Sequence, residues 1–301
     1  MKCTDCGHTP VRRLGPSMSF GQFAGGALVT QPFGSVSIFQ CGRCHLVFKD
    51  PPLDLSTAHD LYNRVDGSVW TSTMPRPEFD LACSAVESAA GIAHRVLDVG
   101  CNRGEFLLRI QSAVERFGIE VNRNAAEFAR SKGVTVVAGI DDLPGEALFD
   151  FITCFDVIEH IAQPSVFLEA LLARLRPGGV LFLSSGDAAV LTSQFRPALN
   201  WYLANPEHIA FVSEAWLRSV LQELPTYELI EVARFIHGHP RIGIDMKLKV
   251  ALFKLWPNGY LGSYRAAKKL ARSTSGLFAP GNGATADHAC FVVRRAAVPV
   301  N

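Results

Sequence analysis

The chain has 301 residues and a net charge of +1, with 48% of residues hydrophobic and 19% charged. That balance supports a packed core and excludes disorder, the near-neutral charge argues against a global pull toward nucleic acid or an anionic membrane, and no run of about 18 apolar residues suggests a bilayer span. The start, Met1-Lys2-Cys3-Thr4-Asp5-Cys6, carries no apolar stretch of leader type, so a reducing, cytoplasmic setting is expected, where the eight cysteines read as metal ligands or buried thiols rather than disulfides.

Residues 1–50 read as a small module. Cys3-x-x-Cys6 and Cys41-x-x-Cys44 are two knuckles whose four thiolates suit a tetrahedral, structural Zn²⁺, and Gly7 and Gly42 fit the tight turns. His8 and His45 read as bystanders. Between the knuckles the only cations are Arg12 and Arg13, too few to track a phosphate backbone, so the metal is expected to be structural or to scaffold substrate recognition. A connector over 51–93 follows, with Pro51, Pro52, Pro75 and Pro77 and a helix expected from Glu78 to about Ala90.

From residue 94 to 301 short apolar runs alternate with amphipathic stretches, the pattern of βα repeats around a parallel sheet. Strands are expected at 95–100, 117–121, 134–138, 149–155, 179–185, 227–235 and 289–295. A helix is expected to bury Phe106, Leu107, Ile110 and Val114. Another starts with Pro164 in its first turn and stops at Arg176-Pro177-Gly178-Gly179, and a third is capped by Ser213. An insertion over about 236–287 separates the last two strands and is expected to form a helical cap.

The chemistry concentrates at strand ends. Asp98-Val99-Gly100-Cys101-Asn102-Arg103-Gly104 joins a strand to a helix, where open α/β sheets bind ligands. A dinucleotide site wants glycine where Asn102 and Glu105 stand, and Glu105 would repel a pyrophosphate at the helix N-terminus; a cationic sulfonium ligand has no such conflict. Glu120, 20 residues beyond Gly100, is placed to accept hydrogen bonds from both ribose hydroxyls. The loop Gly139-Ile140-Asp141-Asp142-Leu143-Pro144 could flank an adenine, and the fourth strand runs into Phe155-Asp156-Val157-Ile158-Glu159-His160.

In this order, these motifs resemble the class I S-adenosylmethionine-dependent methyltransferases over roughly 95–235, with Asn102 departing from the more usual glycine. The resemblance implies a Rossmann-like, seven-stranded, mostly parallel α/β sheet with an antiparallel last strand, and S-adenosylmethionine as methyl donor. Asp98, Gly100, Cys101 and Gly104 would surround its methionine part, Glu120 its ribose, and Ile140, Asp141 and Phe155 the adenine region, with Asn102 and Asp156 also among the cofactor-binding residues.

Asn205-Pro206-Glu207-His208-Ile209-Ala210-Phe211-Val212-Ser213 resembles a segment of sugar C-methyltransferases, in which an adjacent Glu-His pair does acid–base work after a four-cysteine zinc module and a tyrosine-bearing connector. Tyr62 matches the connector loosely, and a further C-terminal domain like that of those enzymes is not expected, since residue 301 follows soon after the last expected strand. Glu207, His208 and His160 are therefore the candidate acid–base residues, with Asp187, Arg196, Trp201 and Tyr202 also in the loop after the fifth strand.

In the insertion, Arg265, Lys268, Lys269 and Arg272 share one helical face and LKVALFKLW (248–256) is apolar; the pair reads as a solvated face, an anion site, or peripheral membrane contact through 248–272. His237 and His239 lack a third metal ligand nearby. The expected acceptor is a sugar, glycan or related small molecule, methylated on oxygen or carbon. A natural-product acceptor, a zinc-bearing nucleic-acid binder or RNA methyltransferase, and a cofactor-binding fold without catalysis stand as alternatives.

Overall fold

The computed structural model describes residues 1–17, 20–22, 28–30, 35–64, 66–70, 76–89, 95–111, 113–145, 147–193, 200–236 and 286–297. The chain divides into two units, Met1–Phe235 with His288–Asn301, and Ile236–Asp287. The second lies almost wholly outside the described residues, as do the expectations placed there: His237, His239, the apolar stretch 248–256 and the cations from Arg265 to Arg272. Among the described residues, no helix is long and apolar enough to cross a membrane.

In chain order the elements are β1 (Val11–Pro16), β2 (Phe20–Gln22), β3 (Leu28–Thr30), β4 (Ser37–Cys41), β5 (Val47–Asp50), α1 (Leu55–Arg64) and α2 (Pro77–Ser88). Then come β6 (Arg95–Val99), β7 (Glu115–Ile119), α3 (Arg123–Ser131), β8 (Thr135–Val137), β9 (Phe149–Phe155), α4 (Pro164–Ala173) and β10 (Leu175–Gly186). The chain continues through α5 (Ala188–Ser193), α6 (Trp201–Ala204), β11 (Ala210–Phe211), α7 (Glu214–Leu221), β12 (Tyr227–Phe235) and β13 (His288–Arg295).

The main sheet has seven strands in the order β12-β13-β10-β9-β6-β7-β8. β8, β7, β6, β9 and β10 pair parallel, while β13 lies antiparallel between β10 and β12. The central strands are mostly apolar, as strands covered on both faces are, and Val96, Leu97, Ile152, Leu181 and Leu183 are fully buried, with Asp98 and Thr153 as buried polar exceptions. The order reverses beside β6, which opens a crevice at its C-terminal end.

A second sheet, β1-β4-β5-β11, belongs to the cysteine module but takes its last strand from the core chain, with Ala210 opposite Phe48 and Phe211 opposite Val47. That pairing across more than 160 residues has no local signature in the sequence.

One expected helix is cut short. Phe106, Leu107 and Ile110 are buried as foreseen, but the segment forms only a 3₁₀ turn over Leu107–Arg109. Glu87 of α2 accepts the Gln111 amide at 2.6 Å and Ile110 turns extended at ψ 120°, so the chain leaves helical geometry there. β7 also ends one residue before Glu120, leaving that side chain on the turn beyond the strand.

Candidate functional site

The loop after β6 is built from left-handed backbone. Gly100, Asn102 and Gly104 have φ of 74°, 46° and 82°. A side chain at Gly100 would place its Cβ 2.4 Å from Val157 Cγ2, so glycine is required by space as well as by angle. Asparagine is among the few other residues that enter this region readily. The loop is pinned to the neighbouring strand by Gly100 and Cys101 amides donating to the Ile119 carbonyl at 2.8 and 3.1 Å.

Glu120 orders the same corner. Its two oxygens accept the amides of Asn102 (2.8 Å) and Asn122 (2.7 Å), and the carboxylate is fixed beside the glycine loop with further lone pairs to offer. Burial raises its pKa and the two amides oppose that shift. Asp98, 4% exposed, accepts from Thr153 Oγ1 at 2.7 Å, and burial pushes its carboxyl up to about 7. From above, the connector closes over the loop: Gly67 leaves so little room that a Cβ there would stand 2.8 Å from Asn102 Oδ1 and 2.7 Å from Ala125 Cβ. Asn122 donates to the Tyr62 carbonyl at 2.6 Å.

The other expected cofactor residues differ in what they present. Cys101 turns its thiol into the core, where it fills the space left by Gly118. Phe155 packs its ring between Phe79 (5.1 Å) and Phe106 (5.5 Å), so it supports the strand end from below. Ile140 and Asp141 form a short turn just past β8, Ile140 half-buried and Asp141 exposed. Asp156, left-handed at φ 55°, pairs with Arg76 at 2.9 Å. Arg76 comes from the connector, also bonds Glu78, and lies 4.5 Å from the Phe79 ring centre. Its position beside Asp156 has no motif in the sequence.

The acid–base candidates converge. The rings of His160 and His208 meet edge to face at 4.9 Å. His160 Nδ1 is 3.0 Å from the Glu207 carbonyl, and His208 Nδ1 is 2.9 Å from the Tyr202 carbonyl. A carbonyl only accepts, so each Nδ1 carries the hydrogen and each Nε2 keeps the lone pair a base needs. Tyr62 reaches over from α1, its hydroxyl 3.0 Å from His160 Nδ1.

Burial lowers both histidines, His208 well below the ordinary value, so both are neutral at pH 7 and can accept a proton, but as weak bases. Glu207 is buried, its pKa raised by burial, and its Oε2 has no hydrogen-bond partner among the described residues.

Behind them Glu159, fully buried and raised to about 7 by burial, accepts from Tyr202 (2.6 Å) and Ser185 (3.0 Å). Ligand atoms of Glu159, His160 and His208 lie within 4.8 Å of one another. Because hydroxyls occupy both carboxylate oxygens, we read this cluster as a hydrogen-bonded network rather than a metal site. Asp187 is spent elsewhere, on the Ala189 amide and Arg234. Arg196 and the Trp201 side chain lie outside the described residues.

Cys3, Cys6, Cys41 and Cys44 bring their sulfurs within 4.8 Å of one another. Cys3 and Cys44 are 3.7 Å apart, Cys6 and Cys41 3.6 Å. Four thiolates about 2.3 Å from a tetrahedral Zn²⁺ would stand about 3.8 Å apart, so spacing and donor type both fit that ion. Gly7 supplies one left-handed turn at φ 68° as expected; in the second knuckle His45 (φ 63°) does so, not Gly42. Neither His8 nor His45 joins the cluster.

A family model described as a methyltransferase domain matches residues 49–224. A ubiquinone biosynthesis O-methyltransferase of Xanthomonas euvesicatoria pv. vesicatoria (strain 85-10) is 36% identical over 101 residues, 30% of this chain and 42% of that protein. The match thus spans less than half the length of that relative. Among solved structures, the N-methyltransferase NodS from Bradyrhizobium japonicum WM9, in complex with S-adenosyl-L-homocysteine, is 16% identical with a TM-score of 0.44 and covers 73% of this chain and 85% of its own. CalS10, an amino pentose methyltransferase from Micromonospora echinaspora, is 26% identical over 37% of this chain and 56% of its own, with a TM-score of 0.32.

Proposed function

From the premise that this chain belongs to the methyltransferase-domain family, we propose that it transfers a methyl group from S-adenosylmethionine to a sugar, glycan or related small-molecule acceptor, on oxygen or carbon. The observation that carries the reading is Glu120, held by the amides of Asn102 and Asn122 beside the left-handed loop of Gly100, Asn102 and Gly104. A fixed, half-buried carboxylate there can accept two ribose hydroxyls. Zn²⁺ is the fitting occupant of the cysteine cluster, as a structural ion with all four positions taken by protein.

When bound, S-adenosylmethionine supplies a methyl carbon activated by its sulfonium. The chain's own residues align the acceptor and take its proton. Nε2 of His208 or His160 accepts the proton from an acceptor hydroxyl, or from carbon beside a ketone, as the acceptor attacks. Tyr62 orients His160, and the Glu207 and Tyr202 carbonyls hold both imidazoles in the tautomer that leaves Nε2 unprotonated. Exclusion of water by the connector and the Glu207-His208 loop strengthens these contacts.

A second reading, an aromatic hydroxyl acceptor of quinone or natural-product type, is favoured by the local identity to ubiquinone-pathway O-methyltransferases and uses the same base.

The test is transfer of tritiated methyl to nucleotide-sugar, lipid-linked glycan and catechol pools, with S-adenosylhomocysteine binding measured in parallel. His208→Ala is expected to lower turnover by about 10²-fold or more with cofactor affinity unchanged; full turnover in that variant removes His208 from the mechanism. No heat with donor or product, and none lost in Glu120→Ala, refutes the cofactor site. Heparin retention that falls steeply with salt, together with methylation of RNA, would replace the small-molecule acceptor.

A further inference from the structure

The cysteine module sends one charged side chain into the core. Lys49, on β5, is 2% exposed, yet it sits in no ion pair within 4 Å among the described residues. Its Nζ donates to the Asn205 carbonyl and lies 5.8 Å from the Phe211 ring centre. Its amide donates to the Ile209 carbonyl at 2.9 Å, while the Ile209 amide donates to the Glu159 carbonyl at 2.8 Å. Residues 205–209, which carry Glu207 and His208, are thus tied at both ends, to β5 on one side and to the Glu159-His160 turn on the other.

We propose, resting on the methyltransferase reading above, that Lys49 is a positioning residue for the acid–base loop: its Nζ pins the Asn205 turn, and its charge faces Glu207, His160 and His208, so that the cysteine module forms one wall of the reaction chamber. A buried lysine is costly to keep, and a surface knuckle module has no packing need for one. The groups around the two imidazoles are Glu207, Asp156, Glu159, Tyr62, Tyr202, His288 and Lys49. Of these, Lys49 opposes protonation of both histidines while attracting the Glu207 carboxylate. It thereby adds to burial, the larger cause, in keeping the histidines neutral when an acceptor arrives.

Burial lowers Lys49 itself to about 7, so it is charged in the acidic range where the histidines begin to protonate. Removing that charge raises the histidine pKa values. The test is an NMR titration of histidine resonances, with amide hydrogen exchange, on the full metal-loaded chain. In Lys49→Gln, which keeps a donor for Asn205 but no charge, His160 and His208 are expected to protonate at higher pH than in the native chain; Lys49→Arg keeps the native titration. In Lys49→Met the amides of His208 and Ile209 are expected to exchange about tenfold faster.

Unchanged histidine titration in Lys49→Gln, or unchanged exchange in Lys49→Met, overturns the proposal. If the Met variant fails to fold, the Gln and Arg pair still decides it. Calorimetry with S-adenosylhomocysteine on the native chain is a separate readout, so failure of the methyltransferase reading and failure of this inference are distinguishable.

Discussion

At the scale of single residues the corner proposed for the cofactor holds two carboxylates in different surroundings, Asp98 buried and Glu120 half-buried. Glu120 is held by two amides, which favours its charged form against burial. Asp98 has one hydroxyl donor and is pushed up to about 7 by burial. Its folded value thus stands above the ordinary aspartate value of about 4. Between those two values the folded chain holds a proton that the unfolded chain has released, so Asp98 stabilises the free protein at low pH and that contribution is lost as pH rises through about 7. A cationic ligand nearby wants the carboxylate. Affinity for S-adenosylmethionine is therefore expected to weaken as pH falls below about 7, and Asp98→Asn to remove that dependence. Calorimetry on either side of neutrality checks both; equal slopes in native and variant chains would show that Asp98 does not sense the ligand.

At the scale of elements, α7 is a place where local sequence and tertiary need coincide. Ser213 accepts the Trp216 amide at 3.3 Å as an N-cap, and Trp216, Leu217, Val220 and Leu221 are buried on one face. Ser213→Ala is expected to cost about 1 kcal/mol, read as a lowered denaturant midpoint at constant slope.

Such elements are legible because their signals are local: Ser213 before an apolar face, Pro164 opening α4, and apolar runs of strand length for β6, β9 and β10. The glycine loop and the cysteine pairs are legible for the same reason. The turn after Phe106 is not, because a carboxylate from another helix, Glu87, ends it. Asn122, which caps α3 through the Ala125 amide at 2.9 Å, has a local signal that was open to reading. Lys49 and Arg76 carry no motif, since each reaches the site through a contact made by residues distant in the chain.

At the scale of the molecule the question is whether the cysteine module and the sheet unfold together. The knuckle is clamped by the core: Asp5, between two of the cysteines, accepts the Ser165 amide at 2.9 Å at the start of α4 and the Trp216 Nε1 hydrogen at 2.9 Å from α7. Ser219 donates to the Cys44 carbonyl at 3.2 Å, and β11 completes the module's sheet. With so many links, ordering the knuckle and ordering the core are one event, and the free energy of binding a structural ion becomes folding free energy of the whole chain. Metal analysis is expected to give one Zn²⁺ per chain, lost in Cys41→Ser. Chelation is expected to lower the midpoint of a single unfolding transition; a loss of about 3 kcal/mol would appear as roughly 5 °C in a chain of this size. Two separate transitions on heating the loaded protein, or a metal-free chain with native midpoint and native S-adenosylhomocysteine affinity, would show instead that the module is an independent appendage and that its strand and lysine do not hold the site.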